Sequence, residues 1–177
     1  MPQTFSNQIC KICPYCNGHH LQHCPKLSPL SAEKHNSSTL LVFQAPGIDE
    51  WTGINAQSRA PISSNNKRST AERMRKAFSV ARKQRTDFDI TEAVQCYPGK
   101  TNSGRDRKPG AKVEQQCLKH LQNDILNGHY TKIISFGKCA NRCVEKIIKA
   151  KMLNVQHIQL AHPSSGRISQ KQIAAQL

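Results

Sequence analysis

Three short stretches of this chain carry side chains suited to chemistry at the ends of apolar runs. Leu40-Leu41-Val42-Phe43 stops at Gln44-Ala45-Pro46-Gly47, and Ile158-Gln159-Leu160 stops at Ala161-His162-Pro163-Ser164-Ser165-Gly166. Between them, Phe88-Asp89-Ile90-Thr91-Glu92-Ala93-Val94 holds a carboxylate and runs into Cys96-Tyr97-Pro98-Gly99. An imidazole can donate or accept a proton near neutral pH, and a carboxylate accepts hydrogen bonds. Thiols supply a second chemistry. The eight cysteines include four close together near the start of the chain, Cys10, Cys13, Cys16 and Cys24. Thiolates at such positions are soft metal ligands.

Something must hold these residues at one place. Residues 39–43, 88–94, 131–136 and 155–160 read as four strands, because short apolar runs bounded by turn residues suit strands buried on both faces. Helical stripes alternate with them. Met74, Ala77, Phe78 and Ala81 follow Ser69 and Glu72, a capping-box pair. Val113, Cys117, Leu118, Leu121 and Ile125 form the next stripe, and Ala140, Cys143, Val144, Ile147 and Ile148 the third. Cys139 and Cys143, one helical turn apart, read as buried thiols. A short amphipathic tail follows His162. Regular alternation predicts an α/β chain, a three-layer α/β/α domain around a central four-stranded parallel sheet. In such folds ligands bind beyond the carboxyl ends of the strands, where the loops after Phe43, Val94 and Leu160 emerge. The domain is expected to span 39–177, preceded by a Cys/His-rich metal-binding arm over 1–38. Residues 48–68 read as a long polar loop and 99–110 as an exposed basic one.

Twenty-six Lys and Arg against eleven acidic residues give a formal charge of +15. Such a surplus favours a polyanion, since phosphates neutralised by cations release counterions. Nucleic acid is the expected occupant of the cleft. The loop Lys100–Pro109 with Arg105, Arg107 and Lys108, and the helix bearing Arg73, Arg75, Lys76, Arg82, Lys83 and Arg85, are the expected phosphate-facing surfaces. The first eight residues lack an apolar secretion core, and no run approaches a membrane span. A cytoplasmic monomer with no membrane partner is therefore expected, its cysteines ligating metal or buried rather than disulfide-bonded.

Together the loops resemble the uracil-DNA glycosylase superfamily, above all its iron–sulfur branch. Cys10-Lys11-Ile12-Cys13-Pro14 is similar to the family's Cys-x-x-Cys-Pro, and Gln44-Ala45-Pro46-Gly47-Ile48-Asp49-Glu50 to its Glu-Ala-Pro-Gly-x-x-Glu loop. Ile90-Thr91-Glu92-Ala93-Val94-Gln95-Cys96-Tyr97-Pro98 resembles Ile-Thr-Asn-x-Val-Lys-Cys-x-Pro. Ile133-Ile134-Ser135-Phe136-Gly137 and His162-Pro163-Ser164 resemble the last strand and loop motifs. The resemblance implies a monofunctional DNA glycosylase that flips a base from the stack and hydrolyses its N-glycosidic bond. It gives His162 the charge developing on the leaving base. Ser164, Ser165 and Arg167 would press on the DNA backbone, although for Arg167 an ordinary turn serves as well. Asp49 and Glu50 are the nearest carboxylates able to orient a water. Gln44, Ala45, Gly47, Glu92 and Ile62 would surround the base.

Several positions depart from the family. Glu92 stands where relatives place the Asn that reads uracil, and a carboxylate matches an exocyclic amine such as the cytosine N4 group. The alternative role for Glu92 is a structural carboxylate paired with an Arg. Gly47 stands where the strict uracil enzymes place a bulky Tyr, and it leaves the 5-position of the base open. Pro61-Ile62 aligns with Pro-Phe, so the family's stacking ring is missing there. These changes point to a cytosine with a 5-substituent, as in hypermodified phage DNA, and so to antiviral defence. Uracil excision in base-excision repair and a non-catalytic nucleic-acid-binding relative are the alternatives. For the metal, the resemblance implies a [4Fe-4S] cluster on Cys10, Cys13, Cys96 and Cys117. Cys13-x2-Cys16-x3-His20-x3-Cys24 offers a local zinc site instead, and the sequence leaves both open.

Overall fold

Four parallel strands, β1 (Thr39–Phe43), β2 (Asp89–Glu92), β3 (Lys132–Phe136) and β4 (Gln156–Leu160), form one sheet in the order β2-β1-β3-β4. The computed structural model describes residues 29–47 and 69–177. Helices α1 (Thr70–Ala81) and α4 (Gln170–Ala174) cover one face, and α2 (Ala111–Leu126) and α3 (Lys138–Lys151) the other. The expected three-layer α/β/α fold is the one observed.

The central strand explains why the sheet forms. Leu40, Leu41 and Val42 are all fully buried, with Leu40 and Val42 facing α2 and α3 and Leu41 facing α1. A strand apolar on both sides has to lie inside a sheet coated by helices on both faces. The edge strand β4 differs, since its Gln156 and Gln159 are exposed, polar residues that discourage further pairing. The other edge is covered by the chain itself. Residues ahead of β1 run antiparallel to β2, with Leu30 N donating to Gln95 O at 2.7 Å, Glu33 N to Ile90 O at 2.8 Å and Ile90 N to Glu33 O at 2.9 Å. Arg85 clamps this strap through a bidentate contact with the Glu33 carboxylate at 2.8–3.3 Å. The last residues assigned to the arm are thus tied to the sheet.

Boundaries differ slightly from expectation. β2 ends at Glu92 rather than Val94, although Ala93 N and Val94 N still donate to Phe43 O and Gln44 O. At the start of α1, Ser69 Oγ accepts the Glu72 N–H at 3.2 Å, as a cap should. The Glu72 carboxylate turns outward to Arg75 at 2.8 Å and Lys76 at 3.5 Å, which holds its pKa down at about 2. No described helix is long and apolar enough to cross a membrane.

Candidate active site at the carboxyl edge of the sheet

The strand order reverses direction at the middle. From β1 the chain moves to β2 on one side and then, through α2, to β3 on the other. The helices that follow β1 and β3 lie on opposite faces of the sheet, and the carboxyl ends at such a switch point are the usual ligand position in this architecture. Beneath it, the Phe43 and Phe136 rings stack with centroids 4.7 Å apart and an interplanar angle of 6°. This pair was not anticipated from the sequence.

The first loop is fixed by its neighbours. Gln44 O takes the Val94 N–H at 3.0 Å, so the backbone of Gln44 is tied to the chain just past Glu92. Ala45 packs on the α2/α3 side of the core, and Pro46 is buried. Gly47 is half-buried. Glu92 sits in register with Phe43 and is 5% exposed. It is a buried carboxylate beside the Gln44–Gly47 turn.

His162 caps the far side. Gly137, ending β3, donates to Leu160 O at 2.8 Å and adopts φ +90°, a conformation open to glycine and costly for other residues. A methyl group there would lie 3.1 Å from His162 Cβ and 3.4 Å from its Cδ2. The imidazole thus rests on the bare backbone of Gly137. With its amide oriented to donate, Asn141 braces the same turn through Ser135 O at 2.9 Å and Gly137 O at 3.1 Å. His162 caps a short 3-10 turn, Pro163–Ser165, and its Nδ1 accepts the Ser164 N–H at 3.4 Å with the Ser164 hydroxyl at 2.8 Å. A backbone N–H can only donate, so Nδ1 carries the lone pair and Nε2 carries the proton. Burial lowers the imidazole pKa from its ordinary value. The result is a neutral ring aiming a single donor, and Nε2 has no hydrogen-bond partner among the described residues.

The structure thus brings Gln44, Ala45, Gly47, Glu92 and His162 to one edge of the sheet. Glu92 ends β2, one outer strand of the sheet, and His162 follows β4, the other. Asp49, Glu50 and Ile62 lie outside the described residues. Ser164, Ser165 and Arg167 are exposed on the turn after His162, where Ser165 Oγ accepts the Arg167 N–H at 3.3 Å.

No family model matches the sequence, and no curated protein matches it.

The basic loop is an ordered hairpin. Lys100 bridges to Asp106, Thr101 N donates to Arg105 O at 2.7 Å, and Gly104 turns the tip with φ +74°. Tyr97 Oη donates to Asp106 Oδ1 at 3.2 Å and anchors the loop to the core, while Arg107 Nε is spent on Lys100 O at 2.7 Å. Arg105, Arg107 and Lys108 are exposed. The α1 surface is less available than expected, and it is shorter: the helix ends at Ala81, so Arg82, Lys83 and Arg85 lie beyond it, Arg85 in a 3-10 turn. Arg73 donates to Ile168 O, Arg75 and Lys76 pair with Glu72, and Arg85 pairs with Glu33. Spacing does indicate the Glu72 pairs, at i+3 and i+4, but gives no sign of Ile168 or Glu33 as partners.

Cys96 and Cys117 are both buried in the apolar cluster between the sheet and α2/α3. Cys10 and Cys13, like the zinc alternative Cys13, Cys16, His20 and Cys24, lie outside the described residues. Cys139 and Cys143 are buried as expected. Glu114 lies beside them, a neighbour the sequence reading missed.

Proposed function

We propose that the chain is a monofunctional DNA glycosylase acting on a flipped-out base, with a 5-substituted cytosine as its substrate. Water adds to the sugar C1′ as the C1′–N bond breaks, and the base leaves with the electron pair. The observation that carries the reading is the neutral His162, with Nδ1 occupied by Ser164 and Nε2–H without a partner among the described residues. A neutral donor held in place stabilises negative charge growing on a departing base without having to give up its proton. Glu92, buried at the end of β2, accepts from an exocyclic amine, and Gly47 leaves room for a substituent. The positive charge and the ordered hairpin with Arg105 and Lys108 support DNA as the partner, bound through phosphates and weakened steeply by salt. If Cys96 and Cys117 hold a cluster with Cys10 and Cys13, its contribution is structural, fixing the arm to the domain.

The test is single-turnover base release from oligonucleotides carrying uracil, cytosine or 5-substituted cytosines, as single and double strands. Release of a substituted cytosine is expected, with Glu92→Asn shifting preference toward uracil. Release of uracil alone removes the cytosine assignment. Binding without release from any of them would leave a nucleic-acid-binding module in place of the enzyme.

A further inference from the structure

The α2/α3 interface holds a donor set that the site at the sheet edge does not use. Cys139 and Cys143 occupy i and i+4 on α3, and Glu114 sits in the first turn of α2; one donor atom from each lies within 4.8 Å of the others. Both thiols are buried, and the Glu114 side chain is only 11% exposed. Donors at i and i+4 on one helix face share a cation well, the same spacing used by paired histidines on metal-binding helices. A tetrahedral ion with sulfur ligands at about 2.3 Å places two sulfurs about 3.8 Å apart. The observed spacing needs only a small rotamer adjustment to reach that.

We propose that Cys139, Cys143 and Glu114 bind a thiophilic divalent cation of the zinc type, at a site separate from the cysteines of the N-terminal arm. Charge supports it. Two thiolates and a carboxylate carry three negative charges, and a divalent ion with the Arg142 guanidinium supplies three positive ones. Arg142 already reaches Glu114 Oε2 at 2.5 Å through Nη2 and at 3.2 Å through Nε. Without a metal, the thiols interact with each other. The hydrogen bond with Cys139 lowers Cys143 from the usual thiol value, and the same bond with burial raises Cys139. Metal binding expels both protons to solvent. The Arg142 side chain, 60% exposed, marks the short path to the surface. Three protein ligands leave the fourth position to water. The ion clamps α2 to α3.

The test uses the full chain, stripped with a chelator and titrated with cobalt(II), beside Cys139→Ser/Cys143→Ser and the arm variant Cys13→Ser/Cys16→Ser. The double variant in α3 should bind one equivalent fewer and lose one thiolate-to-cobalt absorption component, which the arm variant keeps. Glu114→Gln should keep that component and weaken cobalt binding about 10- to 100-fold. Equal stoichiometry in the wild type and a folded Cys139→Ser/Cys143→Ser protein overturns the site. Cadmium NMR of the wild type needs no variant. A resonance for a two-sulfur, oxygen-containing donor set supports the site, and sulfur-rich resonances alone overturn it.

Discussion

The two edges of the sheet use polar groups in opposite ways. At the amino edge, Asp89 begins β2 and is almost fully buried, and its carboxylate takes the His35 N–H at 2.7 Å, the Ser37 N–H at 3.2 Å and the Tyr130 hydroxyl at 2.7 Å, with Lys34 Nζ at 3.5 Å. Burial alone would push that carboxyl up, but these donors outweigh it and hold it below its ordinary value. The polar contacts there close on themselves and bind the strap to β2 and to the entry of β3. At the carboxyl edge, Ser164 satisfies Nδ1 of His162, and Nε2 has no hydrogen-bond partner among the described residues. The amino edge holds the strands together, and the carboxyl edge leaves one imidazole nitrogen without a partner among the described residues.

The sharpest way to break that contrast is His162→Ala. If Nε2 stabilises the leaving base, release should slow by about 100- to 1000-fold, the usual cost of losing one such donor. The half-buried ring contributes little packing, so the melting temperature should stay near that of the wild type. Unchanged single-turnover release would remove the imidazole from the chemistry.

Gly137→Ala ranks next, because it disturbs the ring without touching it. The added methyl meets His162 Cβ at 3.1 Å, and φ +90° strains any side chain placed there. The imidazole has to move outward, and a displacement of an ångström costs about 100-fold in a positioned site. A folded protein with slowed release but retained DNA affinity is the expected result. Full activity would mean that the ring does not depend on the glycine for its place.

These expectations also mark where the sequence was informative. The β1 run Leu40–Val42 is apolar on both faces, so both its strand and its burial were legible, and the start of α1 was legible in Ser69. The strand-end loops could be listed for the same reason. Strand order could not, because it is decided by which runs pack together over long separations. Nor could the strap over 30–33, whose pairing is backbone to backbone and leaves no side-chain period. The Gly137–His162 contact was hidden because a glycine ending a strand looks the same whether it merely turns the chain or cushions a ring. Glu114 was hidden for another reason. It reads as a solvated acid in the first turn of a helix, and only the packing of α3 brings Cys139, Cys143 and Arg142 to it.

At the amino edge, Asp89→Asn should leave activity per folded molecule intact and cost stability, about 2–3 kcal/mol, since the amide cannot accept from every donor that now reaches the carboxylate. The pH dependence follows from the direction of the shift. A carboxyl held below its unfolded value stabilises the fold fully above pH ~4 and loses that contribution as pH falls through the folded value. The wild type should therefore melt at falling temperatures below about pH 4, and Asp89→Asn should flatten that slope. Parallel acid melting curves would show instead that the four contacts carry no net stability.

The smallest effect belongs to Ser164→Ala. The hydroxyl is removed, but the Ser164 backbone N–H still donates to Nδ1, so the tautomer survives and only one of its two supports is lost. Release should slow by a few-fold, in keeping with about 1 kcal/mol for one exposed hydrogen bond. Because burial keeps the imidazole pKa below its ordinary value, release by the wild type should hold level as pH falls toward that value and decline only beneath it. In Ser164→Ala the decline should begin at higher pH, as Nδ1 becomes freer to take a proton. A loss as large as that of His162→Ala would transfer the proton-fixing role from the backbone to the hydroxyl.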